Sequence, residues 1–251
     1  MREKYLGIMG MLLALMVLAS GCVSSGGSSP TSTTSTQTLP FTKEQLESAV
    51  AEIRSYEYVM EVESYNETKL AATLYSKVSI DKEKAMKSSE TRASKGGELV
   101  YVVYYYTTGK GFVTLTNRSG LVNWEFSCYG ENEGPNMDST LLDNLWKDFP
   151  LENATLRVEG DYYLLTANVT VVEENLGEKS YSGSVTVKLT KDLIPVEILQ
   201  KAYYKRGDER WVDDVRIEIR NVNSAIVEPP EGLLKYLKGQ GLELEDLLGK
   251  C

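Results

Sequence analysis

The sequence predicts an α+β protein in which helices cover an antiparallel sheet that is apolar on one side, and three observations carry that prediction. Within residues 181–230, apolar and polar side chains alternate in three successive runs: Val185, Val187 and Leu189, then Ile194, Val196 and Ile198, then Val215, Ile217 and Ile219. This is the period-2 signature of strands with one buried face. A second series of such runs fills residues 56–118. Two segments outside the strands carry apolar residues at helical spacing, so each helix has a face to bury and the sheet has a face to cover. The sequence leaves open whether the cover is protein alone or protein plus a ligand.

The chain begins with Arg2-Glu-Lys4 and a largely apolar run from Tyr5 to Ala19. A charged start and an apolar core mark a secretory signal, and the run is shorter than the roughly 20 residues a membrane helix needs. It ends in Leu18-Ala-Ser-Gly-Cys22, which resembles the lipobox of bacterial and archaeal lipoproteins, with the leucine one place earlier than in the commonest form. The small residues admit a peptidase to the backbone, and the Cys22 thiol is the group that would carry the lipid. The competing reading is an ordinary signal peptide with a chance cysteine. Residues 24–38, SSGGSSPTSTTSTQT, hold almost no apolar side chain and cannot fold by burial, so they read as a tether, bare or O-glycosylated.

Phe41 to Ser55 is the best-marked helix. Thr42 and Gln45 form a capping box, Phe41 and Leu46 a hydrophobic staple, and Leu46, Ala49, Val50 and Ile53 one apolar stripe. Strands are expected at Tyr56–Glu63, Leu70–Asp81, Lys84–Ala93, Leu99–Thr107 and Gly111–Asn117, separated by turns such as Lys95-Gly-Gly97 and Gly109-Lys-Gly111. The run from Leu99 to Tyr106 is apolar or aromatic on both faces, as in a central strand or one whose outer face meets another element. Its tyrosines either line a pocket or are the rings of a half-exposed sheet.

A second helix is expected over Met137–Phe149, capped by Asp138 or Ser139, with Leu141, Leu142, Leu145, Trp146 and Phe149 on one side and Pro150 at its end. Strands resume at Ala154–Val158 and Tyr162–Glu173, and the 181–230 meander follows. Asp192-Leu-Ile-Pro195 and Lys205-Arg-Gly-Asp-Glu209 supply its tight connections. After Pro229-Pro230, leucines at 233, 234, 237, 242, 244, 247 and 248 mark two short helical turns.

Composition excludes several functions. A net charge of -9 argues against nucleic-acid binding, which needs a basic surface to displace counterions, and provides no polybasic patch for anionic lipids. The absence of histidine removes Ser-His-Asp and Cys-His nucleophiles and imidazole-based zinc sites. No phosphate-cradling loop, calcium loop or metal-like cysteine cluster occurs, so no cofactor and no metal are expected. The adjacent carboxylates Glu173-Glu174 and Asp213-Asp214 point to opposite faces of their strands and read as solvated charges, leaving no catalytic residue to assign.

With Cys22 assigned to lipid, Cys128 and Cys251 remain, a disulfide candidate outside the cytoplasm that would pin the leucine-rich tail to the sheet. Four sequons begin at Asn66, Asn117, Asn153 and Asn168. They are glycosylation acceptors if the chain is exported and its host has the transferase.

From Phe41 to Gly232 the order of elements resembles the LolA-like and mycobacterial LppX/LprG-like lipoproteins. The likeness runs through Ile53-Arg-Ser-Tyr-Glu-Tyr58, Val78-Ser-Ile-Asp-Lys-Glu-Lys84, a middle helix, Leu193-Ile-Pro-Val196, and Asn221-Val-Asn223 leading to Pro229-Pro230-Glu-Gly232. The resemblance implies a strongly curved antiparallel half-barrel whose concave face is covered by helices, enclosing an apolar cavity for acyl chains or lipid-modified proteins. It carries no site motif that can be transferred residue by residue. The Ser/Thr tether and the cysteine-ended tail are additions to the pattern. The expected organisation is a signal peptide at 1–21, lipidated Cys22 and tether at 22–40, the half-barrel at 41–232 and a leucine-rich tail at 233–251.

The function expected is that of a non-enzymatic binding protein anchored by lipid to the extracytoplasmic face of the cell membrane and holding a hydrophobic ligand. Its cavity would be lined by Leu145, Trp146, Val185, Val187, Leu189, Val196, Ile198, Val215, Ile217 and Ile219. The alternative is an envelope interaction lipoprotein of the same fold with a filled core.

Overall fold

The computed structural model describes residues 39–251 apart from 131, 132, 136, 138, 139, 174–178 and 207. The signal segment, Cys22 and all but the end of the tether lie outside the described residues, as do Glu174 and the two expected caps Asp138 and Ser139. Helix α1 (Lys43–Ala51) precedes six strands: β1 (Ser55–Asn66), β2 (Lys69–Asp81), β3 (Met86–Lys95), β4 (Glu98–Thr107), β5 (Gly111–Arg118) and β6 (Leu121–Cys128). Helix α2 (Leu141–Asp148) and a short 3₁₀ turn (Leu151–Asn153) lead to β7 (Thr155–Glu159), β8 (Tyr162–Glu173), β9 (Lys179–Thr190), β10 (Pro195–Arg206) and β11 (Glu209–Arg220). Helices α3 (Glu231–Gly239) and α4 (Leu244–Leu248) close the chain.

Among the described residues, all eleven strands join one open sheet in the order β6-β5-β4-β3-β2-β1-β11-β10-β9-β8-β7. Two antiparallel meanders therefore meet along β1 and β11, where Tyr58 opposes Ile219, Met60 opposes Ile217 and Val62 opposes Val215. The fold is α+β, dominated by this sheet. Strand β6 went unmarked in the sequence because only a short run, Val122, Trp124 and Phe126, alternates there with polar residues.

The register assigns every side chain to one of two faces, named here for Tyr56 and Tyr106. On the Tyr56 face, Leu74, Val62, Ile217, Ile198, Val187 and Leu165 belong to a single buried cluster with Leu46 and Val50 of α1 and Leu142 and Trp146 of α2. Both capping-box bonds form at the start of α1: the Thr42 N–H donates to Gln45 Oε1 at 2.8 Å, and the Gln45 N–H to Thr42 Oγ1 at 3.3 Å. Helix α2 begins later than the sequence predicts. Its cap is Thr140, whose N–H donates to Asp143 Oδ2 at 3.2 Å, while Asp143 Oδ1 also receives Lys82 Nζ at 2.6 Å and so ties the helix to the β2–β3 turn.

The Tyr106 face carries a second cluster, in which Tyr106, Val113 and Leu115 meet Leu233, Leu237, Leu244 and Leu247 of α3 and α4. This explains part of the two-sided apolar character of β4: Tyr104 and Tyr106, on this face, meet the C-terminal helices. Gly232 lets that contact close, since a Cβ there would stand 2.2 Å from the Tyr104 ring and would displace it. The link from β11 to α3 is stitched to the start of β1. Asn223, in the left-handed region at φ 59, accepts the Arg54 N–H on Oδ1 at 2.7 Å and donates its own N–H to Ser55 O at 2.7 Å.

Candidate functional site: the Tyr56 face and its helical cover

Among the ten residues expected to line a cavity, Val185, Val187, Leu189, Ile198, Ile217, Ile219 and Trp146 are buried in the cluster beneath α1 and α2. Leu145 and Val215 are half-buried and pack against it. Val196 is half-buried and lies outside that cluster. A register shift between Pro195 and Glu197 places Pro195, not Val196, opposite Leu189, so strict alternation fails there and Val196 drops out of the cluster. Leu165, Met60, Val62, Leu74, Val78 and Ile80 also belong to this core. Their alternation was legible in the sequence, but only the β1–β11 pairing puts them beside the later meander.

The packing is tight at the centre. Val187, Leu189, Leu165 and Leu142 are each 0% exposed, so a water-sized sphere touches none of them. The rings of Phe41 and Tyr163 meet edge to face with centroids 5.4 Å apart, and those of Trp146 and Phe149 at 5.6 Å. Burial pushes the Tyr58 phenol up to about 12 and raises that of Tyr56 as well. The Tyr56 hydroxyl lies beside Thr140 and the Leu142 backbone without a hydrogen bond of normal geometry to either, and the buried Trp146 Nε1–H also lacks an acceptor among the described residues.

Asp213 is a correction. As expected, its face is opposite to that of Asp214, but it is only 2% exposed and is not a solvated charge. The Ser64 hydroxyl donates to Asp213 Oδ1 at 2.6 Å, and the Tyr204 hydroxyl to the same oxygen at 3.3 Å. Burial raises its pKa, outweighing the opposing pull of these two bonds. Asp214, on the other face, pairs with Lys201 at 3.2 Å. Sequence inspection missed Asp213 because the strand was read without its neighbours. The opposing Ser64 on β1 supplies the donor, and that partner is 149 residues away.

The opposite face holds a shallow groove of about 600 Å³ bordered by Glu61, Glu63, Tyr75, Leu199, Lys201 and Arg216. Its cations are already paired, Arg216 with Glu197 at 3.0 Å and Lys201 with Asp214, so it presents no convergent charge for a small ligand. Cys128 and Cys251 are bonded, with Cα atoms 5.3 Å apart, and fasten Cys251, just beyond α4, to the end of β6. Among the sequon asparagines, Asn117, Asn153 and Asn168 are exposed and Asn66 is half-buried. No group of three potential metal ligands occurs among the described residues. None of their helices is long and apolar enough to cross a membrane.

The fold and this face define an open antiparallel-sheet protein with helices packed on both sides. No family model matches the chain, and no curated protein matches it. Among solved structures it is similar to a DUF1329 family protein from Desulfovibrio piger, at 10% identity over 80% of this chain and 97% of that one, with a TM-score of 0.28.

Proposed function

We propose that the chain is a non-enzymatic, lipid-anchored envelope protein that acts by protein–protein interaction and whose apolar core is filled by its own side chains. The observation that carries this reading is the complete burial of Val187, Leu189, Leu165 and Leu142. A chamber able to take an acyl chain would leave its lining accessible to a water-sized sphere, and these four side chains are not. The half-barrel curvature of the LolA-like pattern belongs to the same reading. It is supported by register shifts at Ser64/Tyr65, Ala93/Ser94 and Pro195/Glu197, the devices that bend strands. It is also supported by Gly183, where a Cβ would stand 2.1 Å from Lys201 O.

Lipid attachment at Cys22 rests on the lipobox-like sequence and the tether behind it. Replacing Cys22 with Ala moves the protein from the membrane fraction to the soluble extracytoplasmic fraction if this reading holds; retention in the membrane counts against it. Surface crosslinking of the anchored protein is expected to recover a protein partner, whereas a fluorescent fatty acid is expected not to bind the purified chain saturably.

The second reading, a carrier of a hydrophobic ligand, is favoured by one observation. The Trp146 Nε1–H is buried under α2 without an acceptor, a group that a ligand's polar end could satisfy once that helix lifts. Saturable fatty-acid binding that is lost in Trp146→Phe would select this reading over the first.

A further inference from the structure

We propose that the free edge of β6 is a self-association surface, and that two copies of this chain pair their β6 strands antiparallel across a two-fold axis. Ser119 and Gly120, at φ 49 and 90, make the tight two-residue turn that joins β5 to β6. The flanking residues of such a hairpin, Arg118 and Leu121, form a hydrogen-bonded pair, so Leu121, Asn123, Glu125 and Ser127 bond to β5. The N–H and C=O groups of Val122, Trp124 and Phe126 then point away from the sheet. Among the described residues, no backbone hydrogen bond from another segment reaches them.

Natural edges are usually blunted by shortness, proline, lysine or a bulge. The other edge strand, β7, is only five residues long. By contrast β6 keeps unbroken register with β5 over eight residues, contains neither proline nor lysine, and leaves Leu121 78% and Val122 47% exposed at its start. An edge with these properties is a template for another strand.

The sequence of β6 selects a second copy of itself and fixes the register. Only even-numbered residues face outward, so a two-fold pairing must match even with even. Centring it on Trp124 places Val122 opposite the partner's Phe126 and Asn123 opposite the partner's Glu125, so the only charge in the strand meets a neutral amide. Sliding the centre to Glu125 would set two carboxylates face to face, which is unfavourable, and sliding it to Asn123 would shorten the paired stretch to residues 121–125 and set Glu125 against the partner's Leu121. This inference is independent of the anchor and of what the core contains.

The test is density-matched sedimentation velocity of the full chain in mild detergent, comparing the natural sequence with Asn123→Glu, Asn123→Lys and Val122→Pro. Asn123 is exposed, so the two charge variants leave the fold intact. Asn123→Glu creates two symmetric carboxylate pairs and is expected to weaken the dimer by about five- to tenfold. Asn123→Lys, facing Glu125 of the other copy, is expected to keep or tighten it. Val122→Pro removes an outward N–H without touching the β5 ladder and is expected to give monomer. A natural chain that sediments as a monomer, or equal association of Asn123→Glu and Asn123→Lys, overturns the proposal.

Discussion

The sulfur of Cys251 sits where a side chain at position 111 would begin: a Cβ built on Gly111 stands 3.0 Å from Cys251 Sγ and 2.5 Å from Ser127 O. The first residue of β5 must therefore lack a side chain for the chain end to lie against β6. Gly111→Ala is expected to cost about 1–3 kcal/mol through overpacking. It should also leave a fraction of Cys128 and Cys251 unpaired, detected by thiol titration of the unfolded, unreduced protein.

Cys128 and Cys251 are 123 positions apart, so their bond closes most of the folded chain into one loop. Cys251→Ser is expected to lower stability by about 2–5 kcal/mol. The loss should be read first in α3 and α4, which cover only the Tyr106 cluster. Limited proteolysis should then cut the C-terminal segment before the sheet.

Asp213 makes stability depend on pH in a direction that can be worked out. Its pKa is raised above the ordinary 3.8 by burial, so the folded protein holds this proton more tightly than the unfolded chain. Well below 3.8 both states are protonated and the group costs nothing. As pH rises from there through the raised value, the folded state must bear a buried charge, and stability falls to a lower plateau. Asp213→Asn removes that term. Its stability relative to the natural protein should climb across the same window by about 1.4 kcal/mol per unit of the raise. Urea denaturation at a series of acidic to neutral pH values checks the sign; a difference that shrinks with rising pH contradicts it.

Leu142 and Leu145 lie on the same helix but differ in burial, the first fully enclosed and the second half-covered. Leu142→Ala is expected to cost about 2–5 kcal/mol and Leu145→Ala clearly less. Chemical denaturation of the pair measures how tightly α2 is packed on the sheet.

Much of this architecture was legible in the letters because it rests on local periodicity. The Thr42–Gln45 capping box, the strand alternation from Tyr56 to Thr107 and the Val185–Ile219 meander were all predicted from side chains close in sequence. What escaped depends on distant partners. The β1–β11 pairing, the placement of the leucine-rich tail on the Tyr106 face and the Ser64–Asp213 contact each join residues more than a hundred positions apart. Val196 lies outside the buried cluster for a different reason: the register shift beside Pro195 breaks the local alternation.

The central claim is that the face beneath α1 and α2 is filled by protein. Native mass spectrometry of residues 39–251, purified without detergent from membrane-rich cells, tests it most directly. The expected result is the mass of the polypeptide with its disulfide and no acyl-chain adduct. A stoichiometric lipid retained in the gas phase and removed by organic extraction would contradict it.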